Sequence, residues 1–258
     1  MRNLYFIHLL LVSILLSIPS AAQQVKNETF GEVVIKLKKA IDDLTVLTNG
    51  ACSIAVSPSY QGRVFTSTTS GDEGKSIGWI NWKLINDGQH NNAFAYLGGE
   101  SRFWLAPEFG KFSVFFDPGA AMIIKNMRAP KDLDSKKFNL STIDTHSLVS
   151  KGTIQVQNAN GYVFNCGVER KITLLTKPQV VSALKITLPK TVNYVAFSAA
   201  TTISNMGTEV WNKENGLLSI WELGCMLTTP KNKVIIPIIK ETDAITSYFF
   251  QKRLKMKS

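Results

Sequence analysis

Histidine is almost missing from this chain. Three occur in 258 residues, and His8 lies in an N-terminal apolar run, which leaves His90 and His146 as the imidazoles of the remainder. Cysteine is as sparse: Cys52, Cys166 and Cys225 are an odd number, and none stands in CxxC spacing. A metal centre built from imidazole and thiolate is therefore not expected, nor is a disulfide-stapled scaffold. Free buried thiols, with at most a single disulfide, are the expectation, and no cofactor is implied. Acid is short relative to base, 19 residues against 29, for a formal net charge of +10. The excess is scattered, and four of the positives (Lys252, Arg253, Lys255, Lys257) crowd the C-terminal end. No basic stripe or nucleic-acid motif accompanies them, so nucleic acid is not an expected partner. Past the N-terminus no run is long and apolar enough to span a bilayer. No internal repeat, low-complexity tract or linker divides the chain.

What is present begins with a leader. Arg2 supplies a positive start, residues 4–18 are an apolar core, and Pro19-Ser20-Ala21-Ala22 offers small residues for cleavage before Gln23. Residues 1–22 read as a signal peptide, and the expectation is a periplasmic or secreted protein. No cysteine at the cleavage point suggests a lipid anchor. The rest, 45% apolar and 19% charged over the whole chain, has a globular balance. Residues 23–250 read as one β-sandwich domain and 251–258 as a basic tail.

Thr29-Phe30-Gly31-Glu32 is a capping box, and Phe30, Val33, Val34, Leu37, Ile41 and Leu44 follow at helical spacing. One amphipathic helix is expected there. From Thr45 the period changes to two. Residues 46–48 and 51–56 flank Asn49-Gly50 as a hairpin. Strands are expected at 62–68, 77–85, 111–116, 153–157, 161–175, 180–188, 194–204, 217–227 and 233–239, with a charged surface loop at 131–139. About ten strands, one helix and frequent turn signals make an all-β, antiparallel sandwich the natural class.

The chemistry concentrates in residues 98–116. Gly98-Gly99 and Pro107 bracket what reads as an irregular loop carrying Glu100, Arg102, Trp104 and Glu108. Arg63, Trp79 and Asn81 add a guanidinium, an indole and an amide. Sugars offer C–H faces to aromatic rings and hydroxyls to such polar groups. These seven residues are the candidate ligand-binding set, and a carbohydrate is the expected ligand. Trp104 is as readily a core residue. Glu100 and Glu108 are candidates for a glycosidase carboxylate pair. His90, in a polar loop at 86–92, is a candidate acid.

Four runs carry a family resemblance: Tyr60-Gln61-Gly62-Arg63-Val64, Gly78-Trp79-Ile80-Asn81, the run from Gly98 through Glu108, and Gly216 through Gly224. Through them the chain resembles exported bacterial proteins of the DUF6786 type, a domain of unknown function, over about residues 30–248. The resemblance implies a supersandwich like that of galactose mutarotase, a fold-level analogy only. It also implies a longer chain, so the sandwich is expected to be incomplete at its C-terminus. Glu222 stands where the family pattern implies an apolar residue. A mutarotase needs a base at the anomeric hydroxyl and an acid at the ring oxygen. The resemblance implies a late carboxylate and a histidine for these roles, and no residue here is assigned to the first. The expected function is carbohydrate binding. A carbohydrate-active enzyme (aldose epimerase or glycoside hydrolase) and an inactive truncated remnant stay open, as do catalysis itself and the oligomeric state.

Overall fold

The computed structural model describes residues 28–87 and 97–236. The expected signal peptide, His90, the end of the strand expected at 233–239 and the basic tail lie outside those residues. The described part contains nine strands: β1 (Thr45–Asn49), β2 (Cys52–Ser57), β3 (Arg63–Thr68), β4 (Arg102–Ala106), β5 (Asn139–Ile143), β6 (Ser147–Gln157), β7 (Val163–Leu174), β8 (Phe197–Asn205) and β9 (Ser219–Leu223). Four helices accompany them: α1 (Phe30–Lys38), α2 (Trp82–Asp87), α3 (Lys131–Ser135) and α4 (Lys177–Leu184). All strand pairing is antiparallel, in a three-stranded sheet β1-β2-β3, a four-stranded sheet β5-β6-β7-β8 and a ribbon β4-β9. The all-β antiparallel class is what the alternating segments called for. No helix among the described residues is long and apolar enough to cross a membrane.

The capping box at Thr29 forms as read: Glu32 N–H donates to the Thr29 hydroxyl and Thr29 N–H to the Glu32 carboxylate. The helix ends at Lys38, short of the expected Leu44, and the turn after it carries Ile41 and Leu44 into the same core. Phe30, Val33, Val34 and Leu37 pack on Ala55 and Phe65, one face of the first sheet. The other face, with Leu47, Ile54, Val56 and Val64, packs on Leu148, Ile172 and Leu174 of the four-stranded sheet. Alternation along each strand sends neighbours to opposite faces, so one three-stranded sheet serves two cores. A third core joins the far end of β6 and β7 (Ile154, Val156, Phe164, Cys166, Val168) to Trp104, Phe115 and Phe116.

The β6–β7 hairpin runs in register from Ser147↔Thr173 to Gln157↔Val163. Its turn is closed by Asn158, whose side-chain oxygen accepts from the N–H groups of Asn160 and Tyr162.

Four expected strands are absent or replaced. Residues 111–116 form turns and bends, although Val114, Phe115 and Phe116 remain buried. The irregular loop expected from Gly98 to Pro107 instead contains β4. Residues 77–85 make isolated bridges at Gly78 and Ile80 and then become α2, capped by the Asn81 side chain accepting from Leu84 N–H. Residues 180–188 begin within α4: the Gln179 side chain accepts from Thr176 N–H, and Pro178 suits a first helical turn. Residues 232–236 have no ladder partner. Apolar alternation over a few residues reports exposure on one side, and a strand also needs an edge to pair with. The charged loop at 131–139 likewise contains α3.

Gly78 and Gly98 sit where chains cross. A Cβ on Gly98 would lie 2.1 Å from the Trp79 carbonyl oxygen, at a backbone φ of +90°. Gly110 has a similar φ of +92° but open space around it. Gly110→Ala should cost about 1 kcal/mol from backbone strain alone, and Gly98→Ala about 3 kcal/mol because the crossing chain must also move. Urea unfolding of the two variants measures the difference.

Candidate functional site

The loop before β4 is pinned by its backbone. Gly98 bridges Ile80, Gly99 N–H donates to the Trp79 carbonyl, and Glu100 N–H donates to the Val64 carbonyl. This threads Glu100 between β3 and the 78–80 segment and turns its side chain inward. The carboxylate accepts from Ser67 N–H at 2.6 Å and from the Ser67 hydroxyl at 2.9 and 2.7 Å. It is 6% exposed. Burial outweighs the Ser67 and Thr66 hydrogen bonds and pushes its pKa from the ordinary 4.5 up to about 7.

Of the seven expected ligand contacts, Glu100 lines a hollow whose lining, among the described residues, includes none of the other six. Arg63 is buried, its Nη1 donates to the Gly98 carbonyl at 3.2 Å, and its guanidinium lies 5.8 Å from the Tyr60 ring and 5.7 Å from the Phe65 ring. Burial, and then the neighbouring Arg102 charge, push its pKa well below the ordinary value. Arg102 bonds Asp134 at 2.9 Å and covers the Trp104 ring at 3.9 Å. Trp104 is core: it stacks on Phe115 at 5.2 Å and pairs edge-on with Trp221 at 6.5 Å. Asn81 is committed to capping α2. Trp79 keeps 36% of its surface exposed. Glu108 is half-buried at the far end of β4. The strand alone advances roughly 13 Å, so Glu100 and Glu108 do not form a facing pair at the ~5–9.5 Å of glycosidases. His146 is exposed in the β5–β6 turn, where its N–H donates to Asp144.

The arginines missing from the expected set are as telling. Arg170 of β7 is fully buried and donates to both Glu222 oxygens at 2.5 and 2.9 Å, to the Ser101 hydroxyl at 2.5 Å, to Thr201 at 3.0 Å and to the Gly62 carbonyl at 3.3 Å. Glu222, where the resemblance implied an apolar residue, is the counter-charge of this knot. Nothing in the local spacing announced the pair, because its members lie 52 positions apart.

The hollow beside Glu100 has a volume of about 540 Å³. Its walls are largely apolar: Ile77, Leu175, Val180, Leu184, Phe197 and Met226, with Ser67 and Glu100 as the polar groups. α4, misread as a strand, supplies Val180 and Leu184. A second hollow of about 280 Å³ lies by Tyr60, Gln61, Asp43 and Asp134. Two of its three acids are engaged, Asp43 by Ser57 and Ser59 and Asp134 by Arg102, and the third, Asp42, is exposed. No group of His, Cys, Asp or Glu suited to a metal ion occurs among the described residues. The three cysteines are free, and burial pushes the Cys166 thiol up to about 11, out of nucleophile range at neutral pH. A lone carboxyl that changes protonation near neutrality, set in apolar walls, can accept from or donate to a ligand hydroxyl. Among the described lining residues it has no second ionisable group with which to share acid–base work.

Three variants test this geometry. Folded Glu100 holds its proton up to about pH 7, whereas the unfolded chain releases it near 4.5. Stability therefore falls as pH rises through that window, by an amount of the order of 3 kcal/mol. Glu100→Gln should flatten that fall in denaturant titrations at stepped pH. Glu222→Ala leaves the buried Arg170 charge poorly compensated and should cost about 2–3 kcal/mol. The double change Arg170→Met, Glu222→Leu should cost less than Glu222→Ala alone, as a double-mutant cycle will show.

Comparison with curated proteins and with solved structures gave no match. A family model, described as a family of unknown function (DUF6786), matches residues 28–257, and this chain belongs to that family.

Proposed function

We propose that this chain is an exported protein of mutarotase-like kind that binds a carbohydrate in the hollow beside Glu100. The observation that carries the reading is that hollow: it is of ligand size, lined by apolar and aromatic groups, and holds one hydrogen-bonding pole at Glu100 and Ser67. Trp79, two positions after the wall residue Ile77, is not itself part of the lining but keeps 36% of its surface exposed. An exposed indole there offers a face for sugar C–H groups. Export rests on the leader read in residues 1–22.

Calorimetric titration of the folded chain with a panel of mono- and oligosaccharides tests the proposal. At least one sugar should bind saturably, and Glu100→Ala or Trp79→Ala should weaken it about tenfold, the loss of one good contact. Arg102→Ala should change stability more than affinity, since Arg102 braces Asp134 and Trp104. A folded protein that binds none of the panel sinks the reading. A second reading, aldose epimerisation or glycoside hydrolysis, is favoured by one feature, a carboxyl poised to exchange a proton near neutrality. It requires faster anomer exchange or reducing-end release that Glu100→Gln abolishes.

A further inference from the structure

The lining of the Glu100 hollow is divided by origin. Ser67 and Glu100 come from β3 and the loop before β4, beside Ile77 and Met226. The remaining lining comes from Leu175 just after β7, from α4, and from the start of β8 with the residues before it: Val180, Leu184, Val195 and Phe197 are among it, and none of the group is polar. A bare hexose is hydroxylated around its whole edge. Seated here it would leave most of its hydroxyls against hydrocarbon, each at a cost unless hydrogen-bonded. The lining instead matches a molecule with one polar end and one apolar end. Leu184, 49% exposed, and Met226, 50% exposed, present apolar surface at the rim of the concavity. The unbranched, polarizable Met226 adapts to ligands of different shape.

We propose that the hollow receives an amphipathic small molecule, its hydrogen-bonding head against Glu100 and Ser67 and an alkyl or aryl group against α4 and Phe197. On the carbohydrate reading, on which the identity of the head rests, this makes the ligand a glycoside with an apolar aglycone. The lining from α4 sets the specificity for that group, and Glu100 and Ser67 orient the head.

The test is calorimetric titration of the full mature chain with glucose, octyl β-glucoside below its micellar concentration, and 1-octanol. Octyl glucoside should bind about tenfold tighter than glucose or better, the gain from burying two or more methylenes. Leu184→Glu, at a half-exposed position that tolerates charge, should erase the gain and leave the melting transition in place. Equal affinity for glucose and octyl glucoside, or a gain that survives Leu184→Glu, overturns this inference and leaves carbohydrate binding standing. Octanol binding that Leu184→Glu removes, with no sugar on the wider panel bound, supports the apolar site and overturns the carbohydrate head. Failure of all three probes to bind the folded chain overturns this inference, and failure of the wider sugar panel as well overturns both.

Discussion

One buried guanidinium joins every sheet of the molecule. Arg170 stands on β7 of the four-stranded sheet and reaches Thr201 on the neighbouring β8. It also reaches the Gly62 carbonyl just before β3, Ser101 just before β4, and Glu222 on β9. A buried charge without partners is intolerable, and these four groups satisfy it only when the three sheets are docked. The positions of β3, β4 and β9 relative to the sandwich are therefore set together. Gly62 belongs to the same constraint: a Cβ there would fall 2.8 Å from the Ser150 hydroxyl and 3.2 Å from Arg170 Cδ.

That docking is what creates the candidate site. With β4 held beside β3, the Gly98-Gly99 crossing is forced against the Trp79 backbone, and Glu100 is carried under the sheet to Ser67. The carboxyl loses water there and gains no cation close enough to rank among the causes of its shift, which is why it holds its proton to about pH 7. The neighbouring arginines are spent elsewhere, Arg63 on the Gly98 carbonyl and Arg102 on Asp134. A region rich in charged side chains thus yields a hollow with a single ionisable group.

The candidate residues of the 98–108 run divide between the hollow and the packing around it. Glu100 reaches the hollow. Arg102 and Trp104 lie in a regular strand paired with β9, opposite Leu223 and Trp221, and both are buried. Residue type alone cannot separate a guanidinium that meets a ligand from one that braces a core, because both need acceptors and aromatic faces within reach. The walls from α4 and Phe197 carried no polar signal at all, and so went unmarked.

Local order determined a definite part of this protein. The Thr29–Glu32 box set the start of α1, and the period of two set the long β6–β7 hairpin. These rest on interactions within a few residues, and such interactions are written in spacing. The tertiary structure alone decided that residues 111–116 are irregular and that Arg170 finds Glu222. It also decided that one carboxyl out of several ends in an apolar hollow. Each of those outcomes depends on which distant edge, charge or wall is at hand once the sheets have docked, and sequence spacing carries no record of that.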